Sequence, residues 1–142
     1  MNNINSGRVL LGGLLAGLLL NISEFVLNEI VLGAQMKDFF TGHNFRDPGG
    51  AFIAIAVILT FVLGMILVLL YAMIRPRYGP GPMTAICAAM TAWFFVSIYT
   101  GVINDVLLGI PAGTAILVIV WTLVEYILAA LLGAFVYKEA QP

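Results

Sequence analysis

The sequence is short of charge more than of anything else. Only 9% of its 142 residues are charged, whereas 62% are hydrophobic, and the mean hydropathy is +1.08. Soluble globular domains carry about 25% charged residues. The composition therefore predicts a single membrane-embedded domain over residues 1–142. The net charge of −1 leaves no basic surface for nucleic acid, which we exclude as a partner.

Residue types that carry most enzyme and metal chemistry are also scarce. One cysteine, Cys87, excludes an internal disulfide, and one histidine, His43, lacks the companions that a zinc site requires. Glycine-rich phosphate-binding signatures are missing, and no nucleophile stands with an evident base. We therefore predict no metal, no cofactor and no catalytic residue. Acid–base catalysis on a lipid or quinone by two carboxylates is the least favoured alternative.

Four long apolar segments are present instead, and none alternates as a β-strand would. A helix needs about 20 apolar residues to cross about 30 Å of hydrocarbon. The segments near residues 9–33, 51–74, 83–109 and 114–137 meet this requirement. Lipid tolerates no unpaired backbone groups, so helices are expected. The sequence predicts an all-α, antiparallel four-helix bundle integral to a membrane, whose longest connection is a loop over residues 34–50.

The few basic residues indicate an orientation. Four of them lie at one end of the predicted spans: Arg8, Arg75, Arg77 and Lys138. Only Lys37 and Arg46 lie at the other end. Because cytoplasmic loops carry an excess of lysine and arginine, we predict that both termini are cytoplasmic. The four residues of the first group are expected to anchor at lipid headgroups.

Four stretches of sequence resemble a known group of proteins. They are "GRVLLGGLLAG", "NISEFVLN", "YAMIRPRYGPGP" and "WTLVEYILAALLGAFVY", and they extend over nearly the whole chain. Together they resemble a family of small bacterial four-helix integral membrane proteins. The resemblance implies the same topology and a location in the bacterial cytoplasmic (inner) membrane, and it implies no activity.

Polar residues interrupt the first and fourth spans. At about 100° per residue, one narrow face of each span collects small residues that give way to polar ones. The predicted buried polar site consists of Asn21, Glu24, Asn28, Thr122, Glu125 and Tyr126. Small residues let helices approach closely in lipid. Those expected at helix contacts are Gly13, Gly17, Gly64, Gly101, Ala129 and Gly133.

The two carboxylic acids of this site, Glu24 and Glu125, are the most informative residues of the sequence. They lie at similar depth on helices of opposite direction, and no lysine or arginine lies deep inside any span. We expect them to face one interior site and to carry fewer than two negative charges between them. They either hold helices together as protonated hydrogen-bonding groups, or they bind a proton, a cation or a polar ligand.

Two classes of function remain open. The favoured hypothesis is an interaction or accessory subunit, or a self-associating bundle, whose partners are membrane lipids and either a larger membrane complex or further copies of the chain. Short loops, small-residue faces and the missing motifs favour it. The alternative is a small proton- or cation-coupled transporter, or a carrier of a lipophilic ligand, that uses Glu24 and Glu125.

Overall fold

Helices make up nearly all of the structure. The computed structural model describes residues 4–46 and 48–139, and within these ranges it contains no β-strand. In chain order the elements are α1 (Ser6–Phe25), the π-helical segment π1 (Val26–Val31), α2 (Gly33–Gly42), α3 (Gly50–Tyr78), α4 (Pro82–Trp93), the π-helical segment π2 (Phe94–Gly101), α5 (Val102–Leu108) and α6 (Ala112–Val136). The predicted all-α class is confirmed.

Four helical stretches are long and apolar enough to cross a membrane, as the sequence predicted. They are Ser6–Val31, Gly50–Tyr78, Pro82–Leu108 and Ala112–Val136. Two of them contain more than one element, because α1 continues into π1, and α4 continues through π2 into α5. The largest difference from the predicted bounds is at the end of the second span, at residue 78 instead of 74.

The connection between the first two spans is more helical than predicted. Residues 34–50 were expected to form a loop, but α2 occupies Gly33–Gly42. The apolar residues Leu32, Met36 and Phe39 follow one another at the spacing of one helical face. This pattern accounts for the helix, although Lys37 and Asp38 interrupt the apolar run.

The turn between the second and third spans is correspondingly tighter. The residues between the predicted second and third spans, 75–82, would form this turn, but α3 continues through Pro76 to Tyr78. A proline so close to the end of a helix removes only one late backbone hydrogen bond. The chain then reverses at Gly79 and Gly81, whose φ angles of 83° and 143° suit glycine.

Buried residues are concentrated in one half of the bundle. We call this the closed half and define it as residues 6–20, 64–92 and 122–137. The remainder, residues 21–46, 50–63 and 93–121, is the open half. In the open half the buried residues are Leu27, Leu32, Ser97 and Thr114, and the stretch 50–63 of α3 contains none.

Glycine brings the helices of the closed half into backbone contact. A Cβ atom on Gly64 of α3 would lie 2.6 Å from the carbonyl oxygen of Gly13 in α1 and would also overlap Gly17. A Cβ on Gly12 would lie 2.8 Å from the carbonyl oxygen of Gly133 in α6. On the other side of α6, the fully buried Ala129 belongs to a core that includes several alanines of α4. Small residues therefore set the helix spacing here.

Gly101 is the exception among the small residues expected at helix contacts. A Cβ there would meet only the carbonyl oxygen of Val96 in its own segment, at an ordinary 3.6 Å. Gly101 ends π2, and the wider turn of a π-helix rotates the following residues relative to a regular α-helix. The predicted packing role of Gly101 is therefore wrong.

The closed half is also where three helix ends are tied together. The backbone N–H of Asn5, before α1, donates to Tyr137 Oη at 3.4 Å. Arg75 lies at the end of α3. Its Nη1 atom is 2.8 Å from Glu139 Oε1, and its Cζ atom is 5.7 Å from the ring centre of Tyr137. The start of α1 thus meets the ends of α3 and α6, so successive spans run antiparallel.

Candidate functional site

Glu24 and Glu125 lie beside one another where α1 faces α6. Glu125 is only 3% exposed, and Glu24 is half-buried. The two carboxyl groups are close enough to interact directly, and the side chains of Ser23 and Trp121 adjoin Glu125 as well. Two helices of opposite direction therefore bring together the carboxylic acids that the sequence assigned to one site.

The hydrogen bonds of the two carboxylates differ. Asn28 Nδ2 donates to Glu24 Oε2 at 2.7 Å and to the Glu24 backbone oxygen at 2.9 Å. Trp121 Nε1 donates to Ser23 Oγ at 2.9 Å. Neither carboxylate oxygen of Glu125 has a hydrogen bond of acceptable geometry with residues 4–46 or 48–139. Roughly 90% or more of buried polar groups have such a partner, so Glu125 is an exception that requires an explanation.

Two of the residues expected in the polar site are directed elsewhere. Asn21 Nδ2 donates to the backbone oxygen of Gly17 at 2.8 Å and to that of Val57 in α3 at 3.4 Å. Thr122 Oγ1 donates to the preceding turn of its own helix, with its shortest bond at 2.9 Å. Asn21 links α1 to α3, and Thr122 is satisfied within α6, so neither meets the carboxylate pair through these bonds.

Tyr126 extends the polar site toward the third span. Its side chain is buried next to Ser97 of π2, and it lies within electrostatic reach of Glu24 and Glu125. A row of polar side chains thus crosses the bundle interior from α1 through α6 to π2. Sequence reasoning included Tyr126 but did not connect it with Ser97.

An open groove runs along the outside of α1 and α6 at this level. Its volume is about 680 Å³, within the roughly 300–1,000 Å³ range of small-molecule sites. Ser23, Trp121 and Glu125 contribute to its lining, and the remaining walls are apolar. Residues that represent these walls are Leu15, Leu18, Ile22, Val120, Val124 and Leu128.

Glu125 lies near the middle of its helix. At about 1.5 Å per residue, it is about 20 Å from the start of α6 and about 17 Å from its end. The groove extends in both directions from this point, because Leu117 and Leu132 also line it. Its one buried carboxylate is therefore enclosed by apolar surface on either side.

Ser23, Trp121 and the groove were not predicted from the sequence. The residues had a usable signal, because Ser23 precedes Glu24 and Trp121 stands one helical turn before Glu125. The groove had none, since it depends on how far two helices diverge. Among the described residues, no group of three or more His, Cys, Asp or Glu could hold a metal ion.

The basic residues expected to anchor at headgroups fall into two groups. Arg77 and Lys138 are exposed and Arg8 is half-buried, as residues with access to an interface would be. Arg75 instead belongs to the cluster with Glu139 and Tyr137. Arg75 thus has a partner of opposite charge within the protein, and its anchoring at a lipid headgroup stays a prediction.

Fold and site together define an all-helical bundle with a carboxylate on the wall of an apolar groove. Comparison with protein-family models, with curated proteins and with solved structures finds no match. The chemistry of the groove is therefore the basis on which function can be argued.

Proposed function

We propose that the protein is a multi-pass membrane protein that binds a lipophilic ligand in the groove between α1 and α6. This is the carrier hypothesis, the alternative to an accessory subunit. The proposal has two parts, insertion of the four long helices into a bilayer and occupation of the groove by a ligand. Each part has its own support and its own test.

The surface of the helices supports membrane insertion. Large hydrophobic side chains are exposed on every span, including Phe25 at 61%, Ile58 at 62%, Phe95 at 60% and Val124 at 53%. Apolar patches of this extent are rare on soluble proteins. Helices also satisfy their backbone groups internally, as a bilayer requires.

The distribution of basic residues supports one orientation in that membrane. Arg8, Arg77 and Lys138 lie at the side of the closed half, while Lys37 and Arg46 lie at the opposite side. We infer that the protein resides in the bacterial cytoplasmic membrane with both termini in the cytoplasm. Accessibility labelling of cysteines introduced at position 43 and near the C-terminus tests this, since labelling of both from the same side would contradict it.

One observation favours ligand binding over the other hypotheses. Glu125 is a 97% buried carboxyl group on the wall of an apolar groove, and its oxygens lack hydrogen bonds to the described residues. Leaving such a group unsatisfied costs about 1–3 kcal/mol. A ligand that enters the groove with a hydrogen-bond donor would remove this penalty.

The accessory-subunit hypothesis explains the same groove less well. In that case an apolar helix of a larger complex, or of a second copy of the chain, would fill the groove. The backbone N–H groups of such a helix are already used within it. An apolar helix therefore covers the groove walls but supplies no donor to Glu125.

Saturable binding of amphiphiles to the protein in lipid nanodiscs tests the proposal. The probes are tritiated dodecylamine, dodecanol and dodecanoic acid, and protein-free nanodiscs measure partition into lipid. Val124→Phe narrows the groove, whereas Val106→Phe is a matched change at a residue that is 78% exposed and does not line it. We expect at least one probe to bind saturably, and Val124→Phe alone to abolish this binding.

Two outcomes would overturn the proposal. One is the absence of saturable binding by all three probes. The other is equal binding by the Val124→Phe and Val106→Phe variants. Absence of binding combined with a stable dimer, and a monomer produced by Val124→Phe, would instead support occupation of the groove by a second copy of the chain.

A further inference from the structure

We infer that the ligand of the groove is a lipophilic amine, bound as a cation whose ammonium group donates hydrogen bonds to the Glu125 carboxylate. This inference rests on the proposed function, because it assigns a chemical class to the ligand of the same groove. The apolar body of the amine would lie along α1 and α6. Its head would lie at the level of Glu125.

Hydrogen-bond donors are scarce around the two carboxylates. An ionised carboxylate can accept about four hydrogen bonds. Asn28 directs its amide nitrogen to Glu24, and the indole N–H of Trp121 is used by Ser23 Oγ. The Ser23 hydroxyl adjoins Glu125 but makes no hydrogen bond of good geometry with it. A ligand that donates hydrogen bonds fits this surplus of acceptors.

The two carboxylates also have no lysine or arginine of the chain at their depth in the spans. All six lysines and arginines lie outside the four spans or in their terminal turns. At about 1.5 Å per residue, Arg8 is about 24 Å from Glu24 along its helix, and Lys138 is about 20 Å from Glu125. A cationic ligand would supply the opposite charge that the protein does not place near the pair.

The position of Glu125 within the groove favours a ligand with a single small head group. Phospholipids keep their charged headgroups at the membrane surface, but this carboxylate lies near the middle of α6. An acyl chain of a phospholipid would cover the apolar walls of the groove and leave Glu125 unpaired. A single-headed amphiphile such as an alkylamine can instead bring its head to this depth, because pairing with a carboxylate offsets its loss of hydration.

An inorganic cation fits the site less well. Metal ions such as Ca²⁺ take six or more oxygen ligands. The described residues contain no cluster of three or more metal-binding side chains, and the walls beside Glu125 are apolar. The groove therefore offers a cation one charged contact and a long apolar surface, which is the pattern of an amphiphilic amine.

The test compares three compounds that share one hydrocarbon chain and differ in their head group. Dodecylamine, dodecanol and dodecanoic acid are titrated into nanodiscs that contain the full-length protein, and saturable binding is measured as above. Charge-assisted hydrogen bonds are about twice as strong as neutral ones. We expect dodecylamine to bind at least about tenfold more tightly than dodecanol, and dodecanoic acid to bind most weakly.

Matched variants show which residue causes the preference for dodecylamine over dodecanol. Glu125→Gln removes the charge but keeps the size of the side chain, and it should bring the amine and alcohol affinities to within about twofold of each other. Glu29→Gln changes an exposed carboxylate outside the groove, and it should leave the tenfold preference intact. Glu24→Gln should reduce the preference by less than Glu125→Gln does, because Glu24 does not line the groove.

The outcomes separate this inference from the proposed function. Equal binding of the amine and the alcohol by the unmodified protein, still abolished by Val124→Phe, would overturn the amine inference and leave lipophilic binding intact. This comparison needs no Glu125 variant, so it holds even if Glu125→Gln fails to fold. A preference for the amine that persists in Glu125→Gln would also overturn the inference. Failure of all probes would overturn both.

Discussion

The two halves of the bundle show what small and large side chains do to the same four helices. In the closed half, Gly13, Gly17 and Gly64 bring α1 and α3 into backbone contact, and Gly12 and Gly133 do the same for α1 and α6. In the open half no side chain of the stretch 50–63 of α3 is fully buried, and aromatic residues occupy π2. Small residues let the helices pack closely in one half, and bulky residues leave the other half less closely packed.

The candidate site lies at the boundary between these halves. Glu24 belongs to the open half, whereas Glu125 lies just inside the closed half. In the closed half the helices pack closely enough to keep a carboxylate buried. The groove through which a ligand could approach it extends over both halves, because Leu128 lines it in the closed half and Leu117 lines it in the open half. Both π-helical segments also lie in the open half, as is common near functional sites.

The largest expected effect is a difference in stability between two glycine-to-alanine variants, one in each half. Gly64→Ala places a Cβ against the backbone of α1 and should lower the free energy of unfolding by about 3 kcal/mol. Gly101→Ala adds a Cβ that makes only an ordinary contact with the Val96 carbonyl oxygen, and it should raise stability by up to about 1 kcal/mol through helix propensity. Titration with SDS in mixed micelles measures both. A Gly64→Ala variant as stable as the parent would contradict the closer helix packing that we attribute to the closed half.

A smaller effect is expected where the halves meet. Replacing the unsatisfied carboxyl group in Glu125→Leu should raise the free energy of unfolding by about 2 kcal/mol and abolish the preference for an amine. Glu29→Leu is the control, because Glu29 is exposed and should change stability little. If Glu125→Leu instead destabilises the protein by a similar amount, Glu125 has a structural role that this account does not contain.

The smallest effect concerns the indole that lines the groove. Trp121→Phe removes the hydrogen bond to Ser23 Oγ and should cost about 1 kcal/mol of stability. Trp93→Phe removes a comparable bond to the Ile119 backbone oxygen, at 3.1 Å, and should cost about as much. Only Trp121→Phe should also weaken probe binding, because Trp93 does not line the groove. Equal changes in probe affinity for the two variants would show that the probe does not bind in the groove.

Much of the fold could be predicted because its cause is local. Long apolar runs fix four helices, and the spacing of Gly13 and Gly17 marks a face that can approach another helix closely. Helix α2 was missed because charged residues and the glycines near its end resemble a loop. The π-helical segments have no sequence signature, and π2 is why the expected packing at Gly101 failed.

The candidate site could be predicted only as far as helical geometry reaches. Residue spacing identified the faces that carry Glu24 and Glu125, because each face depends on one helix alone. The bond between Trp121 and Ser23 and the open groove depend on the distance and divergence of two helices. That information is distributed over the packing of the whole bundle, so no local pattern in the sequence contains it.

The most direct test of the account is to map where a lipophilic amine contacts the protein in a membrane. A dodecylamine analogue with a photoreactive diazirine on its chain is irradiated in nanodiscs, and the labelled peptides are located by mass spectrometry. We predict adducts concentrated at residues 15–23 and 117–132, suppressed by Val124→Phe and retained in Val106→Phe. Adducts spread over the exposed stretch 50–63, or unchanged by Val124→Phe, would contradict the central claim.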